Sequence, residues 1–331
     1  MEPELLIAGV IAIALIIYTL TAGADFGGGV WDLLARGPRA ADQRRVIAEA
    51  IAPIWEANHV WLILVVVLLF VCFPAAFAAL STALHIPLTV MLIGVVLRGS
   101  AFTFRAYDPK GGAGARRWSR VFAISSLLTP IALGVTLGAV SGGFERDPTT
   151  RLVQTDFISH WLAAYPFAVG LFTLALFAFL AAVYLVGEAD DAELKAIFRR
   201  KALGSGVAVG VAALIAYRAA ETGAPEIGGD LTSSPWALPL HLVTGAAAVV
   251  ALVALARGRD RVARVAAMGQ GALIVAGWAA AQFPYLAVPG YKIADEAAPP
   301  EVLWPVLIAL GLGAVLLVPM MAYLFVVFKK R

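Results

Sequence analysis

Apolar residues in this chain gather into blocks of about twenty, separated by polar, Gly-rich and Pro-rich stretches. The blocks fall at approximately 5–31, 57–80, 84–105, 119–140, 161–187, 202–220, 237–256, 263–283 and 302–328. About twenty consecutive apolar residues in a helix cross the roughly 30 Å hydrocarbon core of a bilayer. The pattern predicts an all-α integral membrane protein of about nine transmembrane helices, packed as helical bundles in one polytopic domain over residues 1–331. The connections are too short for a sizeable soluble domain. The first block loses its apolar character near Leu20 and runs on through Thr21-Ala22-Gly23-Ala24-Asp25-Phe26-Gly27-Gly28-Gly29. Gly134–Gly138 and Gly206–Gly210 each offer a small-xxx-small face for close helix packing. The stretch 187–201 places Glu188, Asp190, Asp191 and Glu193 before Lys195, Arg199, Arg200 and Lys201, an order that suits a short solvated surface helix.

Composition strengthens the membrane reading. Of 331 residues 61% are hydrophobic and 14% charged, whereas a soluble domain carries about 25% charged residues. Glu2 and Glu4 stand where a secretory signal has its basic region, so the first block reads as a retained helix. The net charge of +3 does not point to nucleic acid, because membrane topology by itself produces a basic excess. With the N-terminus outside and the C-terminus cytoplasmic, the cytoplasmic segments hold Arg36, Arg39, Arg44, Arg45, Arg98, Arg105, Lys110, Arg116, Arg117 and Arg120. They also hold Lys195, Arg199, Arg200, Lys201, Arg257, Arg259, Arg261, Arg264, Lys329, Lys330 and Arg331, which makes 21 of the 25 basic residues. Arg146, Arg151, Arg218 and Lys292 fall on the other side. A wrong number of helices would scramble this alternation. Cys72, the single cysteine, excludes an internal disulfide, an Fe–S cluster and a cysteine zinc site.

Ionisable residues inside a span are costly and mark function by default. Asp25 lies at the inner end of the first span, Glu56 and His59 at the inner start of the second, and Arg98 about two turns before the inner end of the third. All four share a depth toward the cytoplasmic side. Arg98 can neutralise Asp25 or Glu56, which leaves two readings: a buried ion pair that locks three helices, or a hydrated proton relay in which Asn58 and His59 supply polar neighbours. The Gly27–Gly29 run lacks the Gly-Lys-Ser/Thr and the preceding strand of a phosphate loop, and reads as a place of close helix approach. His85, His160 and His241 share the outer side and could in principle hold a haem between them, though each alone suits a membrane surface. Trp31, Trp61, Trp118, Trp161, Trp236 and Trp304 stand at span ends and fit an interfacial belt.

At these same residues the sequence resembles subunit II of the cytochrome bd quinol oxidase family. The resemblance runs through Thr21–Gly29, then Ile51-Ala52-Pro53-Ile54-Trp55-Glu56-Ala57-Asn58-His59-Val60-Trp61-Leu62, then Leu97-Arg98-Gly99-Ser100-Ala101-Phe102. It implies nine helices and a similarly folded subunit I that carries haem b and haem d (or b), oxidises quinol and reduces dioxygen to water. It implies that this chain binds no haem, supports assembly and contributes to proton access, with a structural quinone in some members and a small single-helix subunit as a further partner. By position, Asp25 matches the acid of the first motif, Glu56 that of the second on the proton route, Arg98 the family arginine, and Trp61 a tryptophan near the oxygen route. Ala22 and Thr103 stand where some members carry aspartate. The location implied is the bacterial cytoplasmic (inner) membrane. Rival readings are a secondary transporter, against which the one-sided charges and the lack of a repeated half argue, and a purely structural assembly subunit.

Overall fold

The computed structural model describes residues 2–51, 55–107, 113–147, 149–150 and 152–329. Motif residues Ala52, Pro53 and Ile54, and the basic residues Lys110, Arg151, Lys330 and Arg331, lie outside the described residues. Among the described residues nine helices are long and apolar enough to cross a membrane. They are α1 (Pro3–Leu33), α3 with α4 (Trp55–Asn58 and Val60–Cys72, joined by a turn at His59), α6 (His85–Tyr107), α7 (Ala113–Gly142), α8 (Ala164–Glu188), α9 (Ala192–Gly223), α11 (Ala237–Ala256), α12 (Asp260–Gln282) and α14 (Pro300–Lys329).

Shorter elements join them: α2 (Ala40–Ile51), α5 (Pro74–Ala83), α10 (Pro225–Ser233), the paired strands β1 (Tyr285–Ala287) and β2 (Tyr291–Lys292), and α13 (Ile293–Glu296). The second block is shorter than its hydropathy suggests. Pro74 cannot continue the helix of Phe73 and instead opens α5. The fifth helix starts at Ala164, which leaves Trp161 in the preceding loop. The surface helix expected over 187–201 is not separate. The Asp191 carboxylate caps α9 by accepting from the Glu193 and Leu194 amides at 2.7 and 3.1 Å, and no Gly or Pro interrupts before Gly204. The charged turns and the sixth span therefore form one helix of 32 residues.

α8 is the central helix, packed against α1, α7, α9 and α12. Its approach to α1 is set by glycine. A Cβ on Gly27 would lie 2.0 Å from the Phe177 carbonyl oxygen, and one on Gly23 2.7 Å from the Phe177 ring. Gly28 meets Ile51 of α2 and Gly29 meets Ser126 of α7 in the same way. The glycine run is thus a site of close helix approach, as its sequence context predicts. Gly134 and Gly138 likewise bring α7 onto Gly170 and Pro166 of α8. Of the second pair, Gly206 packs against Leu252 and Phe179, but Gly210 has no neighbour within 4 Å of where a Cβ would stand. Trp31 departs from the belt reading: it is buried, and its indole N–H donates to the Ala178 carbonyl at 2.7 Å.

Ion pairs tie the loops together at each end of the bundle. At the basic end Arg39 reaches Asp191 and Glu193 at 3.2 and 2.6 Å, Arg199 pairs with Asp260 at 3.0 Å, and Arg105 with Asp32 at 3.1 Å. At the opposite end Arg146 pairs with Glu296 at 2.6 Å, and the Phe144 amide donates to Val288 at 2.8 Å. These contacts gather the segments around Asp32–Arg39, Arg105, Asp191–Arg199 and Asp260 at one end and those around Phe144–Arg146 and Val288–Glu296 at the other.

Candidate functional site

Asp25 stands eight residues before the end of α1 and Arg98 nine before the end of α6. At 1.5 Å per residue both lie about 12–14 Å inside the basic end. Their shared depth follows from the sequence, but their neighbours do not. Arg98 is 1% exposed and Asp25 5% exposed. The amide of Asn58, itself buried, donates to the Asp25 carboxylate. The Arg98 guanidinium lies over the rings of Phe26 at 4.8 Å and Phe122 at 5.3 Å, within electrostatic reach of Asp25 and of the buried Tyr18 hydroxyl. Flat aromatic faces accept a guanidinium well, because ring quadrupoles partly replace the lost water.

His59 completes the cluster at the turn between α3 and α4. Its ring is surrounded by Tyr18, Phe26 and Trp55, with centroids 6.1, 5.9 and 6.4 Å away. His59 Nδ1 and Arg98 Nε and Nη2 are buried and make no direct hydrogen bond among the described residues. Buried polar groups of this kind need partners, and ordered water bridging several of them is the usual solution. The turn at His59 keeps its own backbone paired: its amide donates to the Glu56 carbonyl at 3.2 Å and its carbonyl accepts from the Ile63 amide at 3.1 Å.

Glu56 does not join this cluster. It is exposed on α3 and makes no ion pair among the described residues. Of the two carboxylates that Arg98 could neutralise, Asp25 lies inside within its electrostatic reach, whereas Glu56 faces outward on α3. Glu56 shares its face with the exposed Val60, Ile63, Val67 and Phe70, spaced at helical intervals. Trp61 is half-buried where the cluster around Tyr18 and Phe26 meets the one around Ile7 and Phe73.

Sequence reading missed three participants. Tyr18 lies within the first apolar block, and only the fold sets its buried hydroxyl near Arg98. Asp32 sits in an amphipathic boundary yet is buried, with Arg105 as its partner. The third is a cavity of ≈ 180 Å³ between α1, α2, α8 and α12, lined by Thr21, Asp25, Gly28, Tyr184, Glu188 and Arg264 among others. Glu188 and Arg264, 3.7 Å apart, stand at its basic end. Asp25 is therefore reached from that end by a polar-edged recess, which only the packing of four helices reveals.

His85, His160 and His241 occupy separate settings. His85 Nδ1 contacts the Thr82 carbonyl at 3.0 Å, His160 Nε2 that of Gln154 at 3.2 Å, and His241 Nε2 that of Leu231 at 2.8 Å. Each ring packs against a different aromatic residue: Phe157, Phe144 and Tyr217 respectively. Among the described residues no group of three or more His, Cys, Asp or Glu side chains could hold a metal ion.

Fold and site together define a polytopic helical membrane protein with a buried ionisable cluster on its first three spans. The sequence profile of cytochrome bd terminal oxidase subunit II matches residues 3–328, and the chain belongs to that family. Similar proteins include subunit 2 of cytochrome bd ubiquinol oxidase from Bacillus subtilis (strain 168), 28% identical over 45% of this chain and 44% of the relative. Subunit 2 of cytochrome bd-I ubiquinol oxidase from Escherichia coli (strain K12) is 27% identical over 54% of this chain and 48% of the relative. The chain thus spans about half the length of these curated relatives. The structure of bd oxidase from Geobacillus thermodenitrificans shares the fold, with TM-score 0.82 and 22% identity over 100% of both chains.

Proposed function

We propose that this chain is the haem-free accessory subunit of a bd-type quinol:dioxygen oxidoreductase of the bacterial cytoplasmic membrane, supporting assembly of a haem-bearing subunit I and admitting protons from the cytoplasm. Family membership supports the complex, and the charge bias supports a cytoplasmic basic end. The separate settings of the three outer histidines support placing the haems in the partner. The exposed apolar face of α4 that Glu56 extends suits a partner surface, because a carboxylate facing lipid would be costly.

The observation that carries the proton role is the buried Asp25–Asn58 pair beside Arg98 and His59, opening toward the basic end through the cavity. Dioxygen reduction consumes protons, and a dry apolar bundle cannot deliver them without polar groups and water. Asp25 can hold and release a proton at its carboxylate. Asn58 orients that carboxylate, and Arg98 sets how readily it ionises. Glu56, placed at the seam, is the second carboxylate on offer. The test uses the assembled complex, with haem content and turnover per haem measured in one preparation. Asp25→Asn should keep normal haem yet turn over about tenfold or more slowly, the low end for a lost proton-transfer group. Glu56→Gln reports whether the seam carboxylate shares the route. Loss of the complex with near-normal turnover in what survives would favour a purely structural ion cluster. Normal haem and turnover in both variants would sink the proposal.

A further inference from the structure

The recess beside Asp25 holds a second carboxylate to which the proton role above gives no part. Glu188 ends α8 and lines the same ≈ 180 Å³ space as Asp25. Along the chain it belongs to the charged turn before α9, among residues that suit a solvated connector. The packing separates it from those neighbours. Asp191 caps α9, and both Asp191 and Glu193 pair with Arg39, contacts that tie one loop to another. Glu188 turns instead toward α12, where Arg264 lies 3.7 Å away. Its side chain is 28% exposed and meets both solvent and the recess, whereas Asp25 is 5% exposed. The recess thus has one acid buried in it and one at its mouth.

Arg264 holds Glu188 there. Its guanidinium lies over the Tyr184 ring at 4.8 Å while facing the Glu188 carboxylate. Tyr184 and Glu188 are four residues apart and share one face of α8. Tyr184 is anchored in turn, its hydroxyl donating to the Leu20 carbonyl of α1 at 3.1 Å. An exposed ion pair alone contributes little to stability, so this ring, arginine and carboxylate do more to fix a position than to hold helices together. Two hydroxyls also line the recess, those of Thr21 and Tyr184. Each spends its proton on a backbone carbonyl and keeps a lone pair for a further donor. Ala24, Ala50 and Ala181 line it with short side chains, which leaves space that longer ones would fill. At about 30 Å³ each, a short file of waters fits.

We propose that Glu188 collects protons at the mouth of this recess and passes them through water to Asp25, with Arg264 holding its carboxylate in place. This rests on the reading of Asp25 as a proton carrier. In each transfer the Glu188 O–H bond breaks toward a water in the recess, and the emptied carboxylate takes its next proton from bulk water. The excess proton moves along the file by the same exchange and ends on the Asp25 carboxylate. No electron moves, and water is the only co-reactant. A carboxylate at the mouth raises the local supply of protons through its field. Arg264 compensates its charge, so the recess does not hold two unpaired acids.

The test uses the assembled oxidase complex, reduced and then mixed with dioxygen in weakly buffered solution containing a pH-indicating dye. Proton uptake is read per haem, so partial assembly does not enter the rate. Glu188→Gln should slow uptake about tenfold or more, the low end for a lost proton-transfer group, and Glu188→Asp should restore it. Arg264→Met breaks the same ion pair but leaves the carboxylate, and should slow uptake clearly less than Glu188→Gln. Ala24→Leu and Ala50→Leu, made separately, fill the recess without removing either acid and should slow uptake as well. Normal uptake in Glu188→Gln beside slow uptake in Asp25→Asn would overturn this proposal and leave Asp25 with another entrance. Normal uptake in both variants would remove Asp25 too. Equal slowing by Glu188→Gln and Arg264→Met without rescue by Glu188→Asp, or unslowed uptake in both leucine variants, would reduce Glu188 to an anchor and sink the idea.

Discussion

The approach of α1 to α8 rests on Gly27, and Gly27→Ala tests the packing that holds Asp25 in place. The added Cβ would stand 2.0 Å from the Phe177 carbonyl oxygen, where ordinary contact begins at 3.4 Å. The helices must separate by about 1.4 Å, because a backbone oxygen, unlike a side chain, cannot rotate aside. Overpacking of this kind costs about 1–3 kcal/mol, and a rigid neighbour puts the cost at the upper end. Replacing glycine by alanine in a helix returns about 1 kcal/mol. The net loss is about 2 kcal/mol, or roughly thirtyfold in the folded-to-unfolded ratio. Gly9→Ala is the matched control, since nothing lies within 4 Å of its added carbon. Assembled complex recovered from membranes, and its thermal midpoint in one detergent, should fall for Gly27→Ala and stay level or rise for Gly9→Ala. Equal behaviour of the two variants would refute the reasoning. Because Asp25 is only two residues away, turnover in the surviving Gly27→Ala complex should fall as well.

Reporter fusions after Arg117, Arg200 and Arg261 should report the cytoplasm and fusions near Asp147, Asp230 and Asp295 the outside; a single reversal breaks the proposed orientation. Asp32→Asn removes the buried partner of Arg105, with side chains 5% and 22% exposed, and should lower stability by about 1–2 kcal/mol, between surface and fully buried pairs. Glu49→Gln, which breaks an exposed pair with Arg45 at 3.5 Å, should change the same melting midpoint by under about 0.5 kcal/mol equivalent. Equal losses would show that burial does not govern these pairs.

The number of spans, most of their limits, and the depth of Asp25, His59 and Arg98 were legible in the sequence, although the second span ends at Cys72 and the sixth begins at Ala192. Each depends on a local quantity: the length of an apolar run, a count of residues along one helix, or the sign of charge in a loop. The close approach at Gly23–Gly29 was legible for a related reason, since several glycines together in a costly helical setting point to a neighbouring backbone. What the helices turn toward was not legible. Asp25 and Glu56 look equivalent along the chain, yet the rotations of α1 and α3 about their axes put Asp25 inside against Asn58 and leave Glu56 on an open face. Trp31 reads as an interfacial residue until α8 presents a carbonyl to it. Gly206 and Gly210 read as one packing pair, but only Gly206 has a helix against it. The cavity beside Asp25, and the meeting of Arg98 with Phe26 and Phe122, arise between elements distant in sequence. Hydropathy records how favourably each segment enters a membrane; rotation and neighbour choice are settled by side-chain packing among helices already in the apolar phase, and only the tertiary structure carries that information.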